Sequence, residues 1–334
     1  MTETPAPPTD RPLVSMLLIA YRQAGSVREA IAGALAQTYT PLEIVISDDA
    51  SDDDTWAQIE AATAGYAGPH TVVLNRNERN LGIGAHLSRL VERSRGELLF
   101  VAAGDDVSLP QRVETVVAAW LASGKRLDLI ASAMTDIDAA GTSHGLIVPS
   151  DLQDWRTLDD WAAKPPFVVG AAQAWTRRLF DRYGPLPAGT VAEDLVMVFR
   201  AIAGGGALTL REPLVRYRRG GISRRVRNLH ARDVVARLLK NNRHALVETE
   251  QLLRDGAVAG ASATVRATLE AQLARERFIS ELFGVHGAVD RLRVVWRADA
   301  VPAALRLRLW CYAQLPGLFA PFFALKRALA KATS

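Results

Sequence analysis

Asp105 and Asp106 stand side by side at the end of an apolar run, Leu98 to Ala103, which Gly96 opens and Pro110 follows. Two carboxylates at the end of a buried strand are costly unless a cation accompanies them. Hard oxygen donors suit Mg2+ or Mn2+, and such an ion is commonly held by one or two carboxylates together with substrate phosphates. The pair therefore reads as a site for a divalent metal and a nucleoside diphosphate. The competing reading is a helix-capping pair on a loop.

Three further groups could serve the same chemistry. Asp48 and Asp49, followed by Asp52, Asp53 and Asp54, end the apolar run Leu42 to Ile46. A carboxylate there could accept a hydrogen bond from the imide N–H of a uracil or thymine ring. Capping of the next helix suits Asp52 to Asp54 better than the first two. Glu193 and Asp194 open an amphipathic helix. There they read either as a general base facing an acceptor hydroxyl or as acids stabilised by the helix dipole. Between Arg216 and Arg227 lie six arginines and two glycines. Arg218, Arg219 and Arg224 could bind a diphosphate through charge-assisted bonds, or the run could be a basic patch for nucleic acid or acidic lipid. Trp155, Trp161 and Trp175 could stack on sugars, although such residues more often belong to a core.

The elements that must position these groups alternate along the chain. Leu13 to Ala20, Leu42 to Ile46, Thr71 to Leu74 and Leu98 to Ala103 are short apolar runs, as expected of strands buried on both faces. Helical spacing separates them at Val27 to Gln37, Thr55 to Ala64 and Ala85 to Arg93. This alternation predicts an α/β fold with a mostly parallel central sheet flanked by helices. Such sheets bind ligands at the carboxyl ends of their strands, where Tyr21, Asp48, Asp49, Asp105 and Asp106 all fall. Further strands are expected at Asp128 to Ile137, Phe167 to Trp175, Leu208 to Leu210 and Leu214 to Tyr217. Helices are expected at Pro110 to Leu121, Thr176 to Tyr183 and Leu195 to Ala203, with an irregular stretch over Ile147 to Thr157. From about Asn228 long helices follow, at His230 to Leu253 and Ala261 to Leu282.

The domain reading is a leader over residues 1–12 without fixed structure, a catalytic domain over 13–227 and a helical region over 228–334. The leader has no apolar run and does not read as a signal peptide. With 334 residues, 49% hydrophobic and 23% charged, the chain can bury a large core. A net charge of +4 and a pI near 9.4 favour an anionic partner. The single cysteine, Cys311, excludes an intrachain disulfide and a cysteine-rich zinc site, in keeping with a cytoplasmic location. No Gly-x-Gly-x-x-Gly follows the first strand, which disfavours a nicotinamide-dependent enzyme. A sugar-nucleotide pyrophosphorylase would want a glycine-rich loop there, and Tyr21 to Ser26 has only Gly25.

The chain resembles the family 2 glycosyltransferases, inverting enzymes of the GT-A fold. Val14 to Arg22 is similar to their first strand, and Gln37-Thr38-Tyr39 and Leu42 to Ser51 to their Gln-Thr-aromatic and Asp-Asp-Gly-Ser signatures. Asn80-Leu81-Gly82, Arg95-Gly96-Glu97, Asp105-Asp106 and Glu193-Asp194 recur in the same order. The resemblance covers roughly residues 13–225. It implies that Tyr21 stacks near the nucleotide base, that Asp49 bonds to the base with Asp48 nearby, and that Asp105 lies near the ribose or metal. It further implies that Asp106 ligates Mn2+ or Mg2+ and that Asp194 is the catalytic base, with Glu193 structural or acceptor-facing. The implied activity is hexosyl or related transfer from a UDP-, dTDP- or GDP-sugar to a glycan or lipid-linked acceptor, in cell-surface polysaccharide synthesis. Arg22 stands where Asn is usual, Ala50 where Gly is usual, and Gly104 where a further acid is usual. No His follows Tyr217-Arg218, and arginines are expected to take over part of the charge neutralisation.

Beyond the resemblance, Leu309 to Leu325 is uncharged, carries five aromatic residues and two prolines, and has basic flanks. It is short for a spanning helix. Two readings stay open: a segment lying on the anionic inner face of the cytoplasmic membrane, and a helix packed on the core or in a homodimer. The contrasting function class is a non-catalytic, membrane-associated scaffold or nucleic-acid-binding protein using the basic segments. With the glycosyltransferase reading, no nucleic acid is expected.

Overall fold

The computed structural model describes residues 11–219 and 231–314. The chain divides into two compact units, Met1–Gly221 and Ile222–Ser334. The first begins with β1 (Val14–Ala20), α1 (Val27–Leu35), β2 (Leu42–Asp48), α2 (Thr55–Thr63), β3 (Thr71–Arg76), α3 (Ile83–Arg93) and β4 (Leu98–Ala103). It continues through β5 (Val107–Ser108), α4 (Arg112–Ala122), β6 (Leu129–Ile137), β7 (Ser143–Ile147) and α5 (Leu158–Ala163). β8 (Gln173–Thr176), α6 (Arg177–Tyr183), α7 (Glu193–Ile202) and β9 (Ala207–Arg218) complete it.

One sheet runs in the order β3-β2-β1-β4-β8-β6-β9-β5, with β7 added to β6. The first four strands are mutually parallel. β1, β2 and β4 are buried along almost their whole length, because helices cover both faces. Their side chains build a core with Val27, Ile31, Val113, Val117 and Trp120 of α1 and α4. Polar residues inside this sheet are paired. Ser15 donates to Glu43 at 2.8 Å, and the Arg95 side chain reaches the other Glu43 oxygen at 3.1 Å. Gly96 donates to Ser15 Oγ at 2.9 Å, and a Cβ on Gly96 would lie 2.4 Å from the Ser15 nitrogen. Only glycine lets β4 start this close to β1.

The α/β architecture and the four parallel strands are as expected, with three differences in the second half of the sheet. The runs at Leu208 to Leu210 and Leu214 to Tyr217 are one strand, β9, whose pairing with β6 shifts register around Ser132 and Ala133. The extra residues include Arg211 and Glu212, a polar bulge that broke the apolar pattern. β5 and β7 went unrecognised. The first has only two residues, and the second is almost entirely exposed and so carries no apolar signature. The strand expected from Phe167 begins at Gln173, after a turn of 3-10 helix.

The second unit contains α8 (Ala231–Ala259), α9 (Ala263–Gly284), α10 (Ala288–Arg297) and α11 (Ala303–Gln314). Ser262 caps α9 by accepting from the Val265 N–H at 3.2 Å. Asn242 of α8 donates to the carbonyl and carboxylate oxygens of Glu276 on α9, both at 2.8 Å. Phe278, Ile279 and Leu282 of α9 form an apolar cluster with Val294 and Leu309. Of the stretch Leu309 to Leu325, residues 309–314 belong to α11 and the rest lie outside the described residues. Among the described residues no helix is long and apolar enough to cross a membrane.

Arg22 and Ala50 both have left-handed backbone, with φ of 52° and 59°. An L side chain there costs roughly 1–2 kcal/mol. Ala50→Gly removes that strain at the price of a more flexible unfolded chain. It is expected to raise stability by about 0.5–1 kcal/mol, read as a higher urea midpoint at unchanged slope. A lowered midpoint would show that the Ala50 methyl contributes more than its backbone costs.

Candidate active site

Strand register assembles the site. Ala20 of β1 pairs with Asp48 of β2, and Asp48 with Arg76 of β3, while Ile19 pairs with Ala103 of β4. Tyr21, Asp49, Asn77 and Gly104 therefore leave the sheet together at its carboxyl edge. Tyr21 is 40% exposed, with the Arg22 guanidinium 5.2 Å from its ring.

The first two acids have different duties. Asp48 is fully buried and holds the turn that follows it. It accepts from the Ser51 N–H at 3.1 Å and from the Ser51 hydroxyl, and pairs with Arg76 at 3.3 Å. Asp49 reaches across to the turn before α3. Its carboxylate accepts from Asn77 Nδ2 at 2.8 Å and from the Leu81 and Gly82 N–H groups, both at 2.9 Å. His86 lies behind it, with Nδ1 4.0 Å from Asp49 and Nε2 2.6 Å from Ser47 Oγ. Burial lowers the His86 pKa against the pull of Asp49 and Asp48, which favours the neutral ring. Asp52 is bound on both oxygens by Arg22, and Asp53 accepts from the Thr55 N–H and hydroxyl at the start of α2.

Asp105 and Asp106 occupy the turn between β4 and β5. The N-cap of the next helix, α4, is Gln111, so the pair does not cap it. Gly104 is where a further acid is usual. A Cβ there would lie 2.4 Å from Gln23 Oε1 and 3.0 Å from Ala20 Cβ. Gln23 fills that space and its side chain hydrogen-bonds Asp105. Asp106 accepts from the Arg218 N–H at 2.7 Å. The Arg218 side chain turns back under the pair, donating to the carbonyls of Asp105, Asp138 and Ala139 at 3.0, 3.2 and 2.9 Å and to Glu29 at 2.6 Å. Arg112 is wholly buried. It donates to Ser108 Oγ at 2.9 Å, to the Val101 carbonyl at 2.8 Å and to the Gln173 carbonyl at 3.3 Å.

Even with two guanidinium groups nearby, the acids remain strained. Burial, then repulsion from Asp105, pushes Asp106 up to about 8; Arg218 and Arg112 oppose the shift. Burial also raises Asp105. Complete burial lowers Arg112 to about 10, which still leaves it charged at neutral pH. Adjacent, mutually repelling carboxylates, one buried and one half-buried, fit a hard divalent cation. No cluster of three or more His, Cys, Asp or Glu residues suited to a metal occurs among the described residues.

Glu193 and Asp194 form the first turn of α7, and the N-cap Ala192 offers no side-chain cap. Asp194 Oδ1 accepts from the Leu195 N–H at 2.8 Å. Glu193 is buried against Gly170, where a Cβ would lie 2.3 Å from its Oε1. Gln173 connects this turn to Arg112. Its Nε2 reaches the Asp194 carbonyl at 3.4 Å, and its own carbonyl receives Arg112. Arg219 is bound bidentately to Asp136. The donors of Arg218 and Arg219, expected at a diphosphate, thus have intramolecular acceptors. Arg224 lies outside the described residues. Trp175 is fully buried and Trp161 packs edge-on against Phe199 at 5.0 Å, so both are core residues; Trp155 donates to the Lys164 carbonyl at 2.8 Å.

Sequence reasoning missed Gln23, Arg112, Gln173, Asn77 and His86. Arg112 alone left a signal. A cation in the first turn of a helix opposes the helix dipole and requires a compensating acid.

Residues 15–167 match the family model described as "Glycosyl transferase family 2". EpsE of Bacillus subtilis (strain 168), which carries a glycosyltransferase name, is 29% identical over 139 residues, 42% of this chain and 49% of that protein. The uncharacterized protein Rv1520 of Mycobacterium tuberculosis is 26% identical over 207 residues, 62% of this chain and 58% of that one. The chain spans about half the length of these curated relatives. Among solved structures, Staphylococcus aureus TarS 1–349 aligns with a TM-score of 0.58 at 14% identity, covering 96% of this chain and 91% of that one. The mannosyltransferase PcManGT of Pyrobaculum calidifontis, in complex with GDP-Man and Mn2+, aligns with a TM-score of 0.52 at 17% identity, covering 94% and 88%. These structural likenesses show the fold, which is GT-A.

A carboxyl group whose pKa is raised by folding binds its proton more tightly in the native state. Stability then falls as pH rises from about 4 towards about 8. Asp106→Asn keeps an acceptor for the Arg218 N–H and removes the charge. Without divalent metal at pH ~8 it is expected to be more stable than the wild type by about 1–3 kcal/mol, and the gap should close at low pH. Mn2+ should raise the melting temperature of the wild type and leave the variant unmoved. A variant less stable than the wild type at pH ~8, or one still stabilised by Mn2+, would contradict this account.

Proposed function

We propose that this chain, which belongs to glycosyl transferase family 2 through residues 15–167, is an inverting enzyme. It moves a sugar from a nucleoside diphosphate donor to a hydroxyl of a glycan or lipid-linked acceptor. The observation that carries the proposal is the Asp105-Asp106 pair at the carboxyl edge of the sheet, with Asp106 buried and facing the charge of Arg112, which Gln173 ties to the turn bearing Asp194. The chemistry asks for that combination: anion recognition, cation binding and a base tied to one rigid frame.

Tyr21, partly exposed, offers its ring to the nucleotide base. Asp49 has accepted three hydrogen bonds, and a carboxylate has room for about four. The remaining position suits the imide N–H of a uracil or thymine ring. Asp105 faces the ribose and Asp106 holds the divalent ion with it. When bound, Mn2+ or Mg2+ neutralises charge developing on the diphosphate leaving group. Asp194 takes the proton from the acceptor hydroxyl as that oxygen attacks the anomeric carbon from the face opposite the diphosphate. A single displacement inverts that centre, by the geometry that governs inverting hydrolases. Glu193, fixed against Gly170, orients the turn.

TarS has been crystallised with UDP-GlcNAc and PcManGT with GDP-Man and Mn2+. These precedents support a sugar nucleotide as donor and leave a panel of UDP-, dTDP- and GDP-sugars to be tested for turnover. One donor is expected to be used. Asp194→Asn, which preserves shape, should lower kcat by about 100-fold or more, with donor binding by thermal shift unchanged. Transfer at the wild-type rate by Asp194→Asn would remove that residue as the base.

A further inference from the structure

The second unit carries an apolar stripe that its own core does not use. On α10, Val294 turns inward to the cluster with Phe278, Ile279 and Leu282 of α9. Val289, Leu292 and Trp296 face outward, 62%, 51% and 84% exposed. Their spacing of three and four residues places them on one side of the helix. Leu307 of α11 is 60% exposed. Leu292 and Trp296 line an open cavity of about 250 Å3 together with Leu307 and Trp310. A near-fully exposed indole beside aliphatic neighbours is a surface awaiting a partner.

Charge identifies the partner. α10 and α11 contain five arginines, at 291, 293, 297, 306 and 308, against Asp290 and Asp299. Arg293 and Arg297 each follow a stripe residue directly, so they border the apolar face, and both are exposed. Arg293 pairs with Asp290 at 2.8 Å. A second copy of this chain is a poor occupant, because twofold pairing through the stripe would set Arg293 and Arg297 close to their own counterparts. An anionic surface neutralises them. An indole between acyl chains and headgroups, with arginines on the polar side, is how an amphipathic helix lies in a membrane interface.

We propose that the outer face of α10 and α11 docks on an anionic lipid bilayer. Leu292 and Trp296 enter the headgroup–acyl boundary, and Arg293 and Arg297 meet lipid phosphates. The inference goes beyond the transfer reaction and does not depend on it.

Flotation of the full chain with phosphatidylcholine vesicles, with and without phosphatidylglycerol, tests this. The wild type is expected to float with the anionic vesicles only. Trp296→Ser combined with Leu292→Ser should lower the partition coefficient by about tenfold or more, with melting temperature and nucleotide response unchanged because both side chains are exposed. Arg293→Gln with Arg297→Gln should lower it severalfold at low salt, and the difference should vanish at high salt. Absent flotation, equal binding to neutral vesicles, or full binding by the Trp296→Ser/Leu292→Ser variant would each overturn the proposal. So would a dimer seen by light scattering that this variant abolishes without any vesicle binding.

Discussion

The repulsion between two adjacent carboxylates at the end of β4, Asp106 buried and Asp105 half-buried, shapes the surroundings of that turn. A charge out of water must be compensated or neutralised by a proton. The chain brings two guanidinium groups from opposite directions to do this. Arg112 comes from the helix after the acids, and Arg218 from the last residue of β9. Neither forms a side-chain ion pair with the acids. Arg112 donates to Ser108 and two carbonyls, and Arg218 gives its side chain to three carbonyls and Glu29. They act on the acids through space, opposing the upward shift that burial and Asp105 impose on Asp106. A site left short of positive charge in this way favours whichever ligand brings more.

The same constraint explains what the sequence disclosed. β1, β2 and β4 were legible because burial on both faces leaves an uninterrupted apolar run, and the acids were legible because they end one. Their gathering at one edge followed from parallel order alone. The supports were hidden because each acts through tertiary contact. Gln23 is an ordinary turn residue until Gly104 opens the space beside it. Gln173 sits in a stretch that reads as apolar strand, yet it connects Arg112 to the Asp194 turn. The α10 stripe was missed for another reason: three outward apolar residues among arginines look like a weak core helix. Only the exposure of those side chains in the fold distinguishes the two.

The departures from the family pattern acquire physical sense in the fold. Arg22 and Ala50 occupy left-handed backbone, which the usual Asn and Gly adopt more easily. Arg22 returns part of that cost by binding both oxygens of Asp52 and by donating its N–H to Ser51 Oγ at 2.9 Å. Ala50 makes no such return, its methyl having no polar group to offer. The missing acid at 104 goes with Gln23, whose side chain would collide with anything larger than glycine. An uncharged amide beside Asp105 adds a hydrogen bond without adding a third negative charge to a turn already short of cations.

Asp49 extends this logic to the neighbouring strand end, at the carboxyl edge of β2. Its carboxylate positions the turn at Leu81 and Gly82, so whatever withdraws its acceptor capacity also loosens the start of α3. His86 is a titratable neighbour, its Nδ1 4.0 Å away. A protonated ring there would compete for Asp49. Burial keeps the ring neutral by lowering its pKa, and the Ser47 hydroxyl satisfies its far nitrogen. The donors at Asn77, Leu81 and Gly82 therefore hold the Asp49 carboxylate without competition from the ring. Ser47, Asn75 and His86 form a buried hydrogen-bonded group behind Asp49.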